Sequence, residues 1–202
     1  MARTGRPRAF DRDEALQAAL TLFWQQGYEP TSLSQLKEAM GGLSPTSFYA
    51  AFGSKEQLFI EVLDRYRSSF GTVTDVLRDD SLPPRDAIEL CLRQSARMQT
   101  DPLHPSGCLI VLGANNCGPS GAGVMEALRD ERARNRDAIN TQIRRAVSMG
   151  DLPSETDIEA LTTAFNAFLL GLSAAARDGA SLMHLEHSVD HIMQVWPSRT
   201  LT

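Results

Sequence analysis

The feature that most constrains this chain is its apolar periodicity. Hydrophobic residues recur at helical spacing almost everywhere, and alternating runs rich in β-branched residues are missing. Such a pattern builds helix against helix, so the fold class is all-α. Asp11 is placed to cap a first helix whose stripe is Leu16, Ala19, Leu20 and Phe23, and Gly27 ends it. Thr31 or Ser32 caps a short helix carrying Leu33, Leu36 and Met40, which Gly41-Gly42 breaks. Ser44 opens another short helix with Pro45 in its first turn, ending near Phe52-Gly53. Ser54 caps the fourth, with Leu58, Val62, Tyr66 and Phe70 in one stripe.

Further helices are predicted from Pro83-Pro84 to about Thr100 and as a short piece from Cys108 to Ala114. A long one ends near Met149 and carries Val124, Leu128, Ala138, Ile139, Ile143 and Ala146 on one side. The next, from about Ser154 to Arg177, is apolar on most of its circumference, and the last carries Leu185, Val189, Ile192, Met193 and Trp196. The boundary is expected within the fourth helix. It leaves a three-helix head with a basic arm at residues 1–56 and a helical body at 57–202.

With 202 residues, of which 42% are hydrophobic, the chain has enough apolar material for a real core. No run reaches the length of a membrane span, and the basic start has no apolar segment behind it, so a cytoplasmic protein without membrane contact is expected. Cys91, Cys108 and Cys117 are an odd set without tight metal-ligand spacing and read as reduced thiols. The net charge of −5 argues against nucleic acid binding over the whole surface. The opening segment differs, since Arg3, Arg6, Arg8 and Arg12 face only Asp11. Contact with a phosphate backbone must therefore be local.

Two short helices joined by a glycine turn and braced by a longer apolar helix are the parts of a helix-turn-helix. The second short helix of such a unit lies in the major groove, with polar groups outward and bulky ones inward. Ser44-Pro45-Thr46-Ser47-Phe48-Tyr49 has that form: Phe48 and Phe52, four apart, turn to the core, while Ser44, Thr46, Ser47 and Tyr49 are left for DNA. Small hydroxyl side chains allow close approach to base edges, and Tyr49 reaches a phosphate or a thymine methyl. Lys55, and the hydroxyls of Thr31 and Ser32, stand at helix N-termini where free N–H groups suit a phosphate oxygen. Arg6 and Arg8 in the arm are placed to follow a narrow minor groove.

The run Phe23-Trp24-Gln25-Gln26-Gly27-Tyr28, then Thr31-Ser32, then Ser47-Phe48-Tyr49-Ala50-Ala51-Phe52-Gly53-Ser54-Lys55-Glu56-Gln57-Leu58-Phe59, resembles the DNA-binding head of TetR/AcrR (tetracycline-repressor) regulators over about fifty residues. The resemblance implies an all-α dimer whose last two helices build a four-helix interface, with a ligand pocket inside the body. It places Thr46, Ser47 and Tyr49 on the DNA face and Thr31, Ser32 and Lys55 near phosphates. One departure stands out: Ala39-Met40-Gly41-Gly42-Leu43-Ser44 is one residue longer than the commonest turn of the family, which bears on the register of the groove-facing helix.

The nearly all-apolar helix needs cover on more than one side, and a twofold dimer supplies it. Phe168, Leu172, Leu185, Val189, Ile192 and Trp196 are the expected interface. Two heads would then stand one DNA turn or more apart, about 34 Å or beyond, over a palindromic operator of double-stranded DNA. A small-molecule effector that fits the body better when the heads are misplaced would lift repression. Met98, Cys108, Asn115, Phe165 and Phe168 are the expected pocket residues.

Three other clusters compete for a role. Cys108 at a helix start could have a lowered thiol pKa and sense oxidants or electrophiles, against the plainer reading of a buried apolar thiol. His184, His187 and His191 share one helical face, a spacing found in metal sites and more often on solvated faces or dimer seams. A Cys108 nucleophile with His104 as base lacks an oxyanion device and an acidic orienter. No enzyme activity, metal or cofactor is expected, and a transcriptional activator is the remaining alternative to a repressor.

Overall fold

The computed structural model describes residues 11–113, 117–118 and 121–197. Among these there are helices and no strands. The head comprises α1 (Arg12–Gln26), α2 (Leu33–Ala39) and α3 (Pro45–Phe52). α4 (Lys55–Ser68) leads into the body, where α5 (Pro84–Thr100), α6 (Leu109–Leu112), α7 (Ala122–Met149), α8 (Ile158–Arg177) and α9 (Leu182–Ile192) pack together.

The ends of these helices follow from local chemistry. Asp11 accepts from the N–H groups of Asp13 and Glu14, and Ser32 forms a reciprocal capping box with Gln35. Ser44 and Ser54 cap α3 and α4 in the same manner. Gly150, at φ 75°, closes α7 in the left-handed region that a glycine adopts without steric cost. Several boundaries differ from expectation, and α9 ends at Ile192, so Met193 and Trp196 of the expected last helix lie beyond it. α8 starts at Ile158, capped by Asp157, rather than near Ser154. Phe70 has left the α4 stripe and begins a 3₁₀ segment, Phe70–Arg78, that packs on α5.

Two apolar clusters result. The first joins Leu16, Leu20, Phe23, Leu36, Phe48 and Phe52 of the head to Leu58, Phe59 and Val62 of α4, and also takes in Leu109 and Ile110 of α6 and Val124 and Leu128 of α7. The second lies between α5, α7, α8 and α9, around Ile88, Leu92, Ile143, Phe165, Leu169 and Val189. By length and composition α8 could cross a membrane. In this fold one side of it, Leu161, Phe165, Leu169 and Leu172, is buried in the second cluster instead.

Candidate nucleic-acid interface and effector cavity

In the head, Phe48 and Phe52 are buried against α1 and α4, which fixes the rotation of α3 about its axis. The opposite face is open: Ser44, Thr46 and Ser47 are exposed, and Tyr49 is 52% exposed. Ser44 Oγ accepts from the Ser47 N–H at 3.1 Å and donates to Ser47 Oγ at 2.9 Å, so the two hydroxyls form one small polar surface. The longer turn is absorbed by Gly41 and Gly42, both at positive φ (85° and 81°), with the Gly42 and Leu43 N–H groups bonded to the Lys37 carbonyl. Two left-handed residues in succession let the chain reverse within the extra length, so the aromatic pair still faces inward.

Lys55 is half-buried. Its ammonium lies 4.3 Å from the centre of the Tyr28 ring and 3.4 Å from the Glu29 carbonyl, and burial lowers its pKa from the ordinary lysine value. Thr31 requires a correction. It is fully buried, and its hydroxyl donates to the Gly27 carbonyl at 2.6 Å, closing the end of α1. A threonine hydroxyl beside an unsatisfied helix-end carbonyl bonds there rather than to DNA. Ser32, in contrast, is exposed at the α2 N-terminus. Arg6 and Arg8 lie outside the described residues.

In the body a narrow cavity, with about 30 Å³ open to the centres of water-sized molecules and partly open to solvent, lies between α4, α5, α6, α7 and α8. Of the expected pocket residues, Met98 and Cys108 line it. Phe165 and Phe168 do not: Phe165 is completely buried in the second cluster and Phe168 packs against that cluster, whereas Asn166, Leu169 and Leu170 reach the cavity. On a helix apolar nearly all round, a shift of one residue turns a side chain by about 100° and changes the compartment it enters. Asn115 lies outside the described residues. A polar cleft containing Arg67, Arg78 and Glu131 adjoins the cavity and shares Gly71, Thr74, Ile110 and Asn135 with it.

Tyr66, Ser95, Gln99 and Arg132 also line the cavity and were not singled out by the sequence. A signal was present for two of them. Ser95 and Gln99 continue the buried stripe of Ile88 and Leu92 on α5, and polar residues inside an apolar stripe need partners. Tyr66 bonds through its hydroxyl to Cys108 Sγ at 3.2 Å, and burial raises both pKa values. The lowered thiol pKa weighed for Cys108 is not found, and the plainer reading of a buried thiol fits: α6 has only four residues, and burial outweighs its N–H groups. His104 stacks on Trp24 with ring centres 4.5 Å apart, and its Nδ1 lies beside the Pro105 carbonyl, while the Cys108 Sγ accepts from the Tyr66 hydroxyl.

Four of the six expected dimer residues need correction. Leu172, Leu185, Val189 and Trp196 are buried in their own chain, while Phe168 and Ile192 are half-buried. The outward side of α8 carries Thr163, Ala167, Gly171 and Ala174, and that of α9 carries Leu182, Met183, His184, His187 and His191. Nearby Asp190 and Glu186 of α9 are paired with Arg93 at 2.6 Å and Arg97 at 2.9 Å.

Head and body are joined by hydrogen bonds that converge on the ends of α1 and α6. Trp24 Nε1 donates to the Gly107 carbonyl at 3.2 Å, and the Tyr28 N–H to the Gly113 carbonyl at 2.7 Å. Arg177, from the end of α8, donates to the Trp24 and Gln25 carbonyls at 2.8 and 2.9 Å. The Cys108 N–H donates to Ser173 Oγ at 2.8 Å. The residues that wall the cavity thus sit within the segment that holds the head.

A helix-turn-helix head with an open polar recognition helix, anchored to a helical body that encloses a cavity, defines a DNA-binding transcriptional regulator. Residues 15–62 match the family "Bacterial regulatory proteins, tetR family", and residues 85–192 match "Tetracyclin repressor-like, C-terminal domain". The chain belongs to the tetR family and is not an enzyme.

Among its relatives, the HTH-type transcriptional repressor ComR of Escherichia coli (strain K12) is 34% identical over 96% of this chain and 92% of its own length. The repressor BdcR of the same organism is 31% identical over 90% and 86%. Among solved structures, a cysteine mutant of the TetR family transcriptional regulator CifR, complexed with 26bp double-strand operator DNA, is 42% identical. It matches with a TM-score of 0.86 over 96% of this chain and all of its own.

Proposed function

We propose that this chain is a ligand-responsive repressor: a dimer holds a palindromic operator through its two heads and releases it when a small molecule occupies the body cavity. The observation that carries this reading is the geometry of α3, whose buried Phe48 and Phe52 hold Ser44, Thr46, Ser47 and Tyr49 outward. Ser32 and Lys55 flank that surface as phosphate contacts, with Lys55 leaving the Tyr28 ring to reach DNA. The repressor names of ComR and BdcR and the operator complex of CifR support the same conclusion. Residues 1–56 serve as the DNA-binding head and 57–202 as the sensing and dimerising body, acting in the cytoplasm.

The outward side of α8 supports dimerisation. Gly171 is a helix-interior glycine with no atom within 4 Å of the position its Cβ would occupy, and the chain keeps it despite a helix-propensity cost of about 1 kcal/mol relative to alanine. Beside Ala167 and Ala174 it leaves a shallow surface on which a partner's helix can approach closely. The test is selection of bound sequences from a random DNA pool, followed by binding of Tyr49→Ala to the best site. A palindrome is expected, with affinity lost in the variant at unchanged folding. Selection without symmetry, or wild-type affinity in the variant, would refute the reading.

A further inference from the structure

The body cavity has an unbalanced charge. Among the described residues its lining contains one cation, Arg132, and no aspartate or glutamate. No described carboxylate pairs with Arg132; its hydrogen-bond partner is the Ile110 carbonyl, at 2.7 Å. Within α7, Arg134 pairs with Glu131 and Arg136 with Glu159, whereas Arg145, like Arg132, bonds a backbone carbonyl and no described carboxylate. A guanidinium facing an apolar, partly desolvated space without a counter-ion is an unfavourable arrangement that a bound anion relieves.

A second, independent feature lies in the same wall. Gln99 is 3% exposed and its side-chain oxygen has no hydrogen-bond partner; the side-chain oxygen of Asn166 is unpartnered as well. An amide can turn end for end and present either its oxygen or its NH₂ group. Unpartnered buried amides beside an unpaired guanidinium are polar capacity held in reserve for a ligand. The remaining lining includes Met98, Leu169 and Leu170, which suit an apolar body.

We propose that the effector is a small amphipathic carboxylate, its anionic group paired with Arg132, its other polar atoms met by Gln99 and Asn166, and its apolar part against Met98, Leu169 and Leu170. This rests on the ligand-responsive reading above and adds the chemical class. It also supplies a route to the head. A carboxylate at Arg132 competes with the Ile110 carbonyl for the guanidinium and so loosens α6. The segment around α6 holds the head through Gly107 and Gly113.

The experiment uses the full-length protein and its selected operator, with hexanoate and phenylacetate as probes and hexanamide and phenylacetamide as their neutral counterparts. Thermal unfolding and operator release are read in parallel at millimolar concentration. The acids are expected to raise Tm and release the operator, and the amides to act about ten- to a hundredfold more weakly. Arg132→Gln, folded by circular dichroism, should bind the operator more weakly because the Ile110 carbonyl loses its donor, and its remaining operator complex should not respond to the acids. Arg132→Lys, which keeps the cation, should retain part of it. Equal action of acids and amides, an unchanged response in Arg132→Gln, or release by neutral compounds alone overturns the carboxylate assignment while leaving a ligand-responsive repressor intact. An operator complex that no compound of any charge releases overturns both.

Discussion

Trp24 shows how much one side chain can hold in this fold. It is buried, donates to the Gly107 carbonyl, stacks on His104 and meets the Tyr66 and Phe70 rings edge-on, so head and body share it. Trp24→Phe leaves that carbonyl without its donor and is expected to cost about 2–4 kcal/mol in urea unfolding. A second residue-scale prediction concerns alkaline pH. Burial pushes the Cys91 thiol up to about 12 and also raises the Tyr66 phenol and the Cys108 thiol. An acid whose folded pKa lies above its unfolded value stays protonated longer in the native state. Its stabilisation is complete below the unfolded pKa and is lost as pH rises through the folded one. Thermal stability should therefore decline above about pH 9, and the decline should be shallower in Cys91→Ala.

At the scale of elements, Arg177 ties the end of α8 to the last carbonyls of α1, where a cation is favoured. Arg177→Ala should lower stability by about 1–3 kcal/mol in chemical denaturation, with the helical circular dichroism preserved. Asp157→Ala removes the α8 cap and should cost about 1 kcal/mol in the same measurement. Much of this layer was legible in the sequence. Asp11, Ser32, Ser44 and Ser54 mark helix starts because each side chain accepts from the N–H groups that no helix can satisfy by itself. The candidate DNA face was readable for a related reason, since Phe48 and Phe52 fix the inward side of a short helix. Thr31 was misread because a hydroxyl at a helix junction has the same local signature whether it bonds the preceding carbonyl or solvent. The rotation of α8 was illegible: with apolar residues on most faces, the periodicity carries no phase.

For the whole molecule, symmetry makes the strongest claim. A charge at Gly171 or Ala167 meets only solvent in a single chain but would meet a second copy in the proposed dimer. Ala167→Arg should keep its fold, sediment as a monomer and lose operator affinity, whereas a dimer of unchanged affinity would exclude this face as the interface. Gly171→Ala is the gentler companion, with unfolding of the isolated chain expected to be unchanged or slightly more difficult.

Leu109, Ile110, Val124 and Leu128 complete the apolar interior beneath the first three helices. A fragment cut at residue 56 would present that interior to water, and a chimera grafting this reading module onto a foreign sensor would inherit a hole where those four side chains and Leu58, Phe59 and Val62 of α4 had been. Exchange of specificities between relatives should succeed where the seam is transplanted along with the module, and should give insoluble hybrids where only the first fifty-six residues travel.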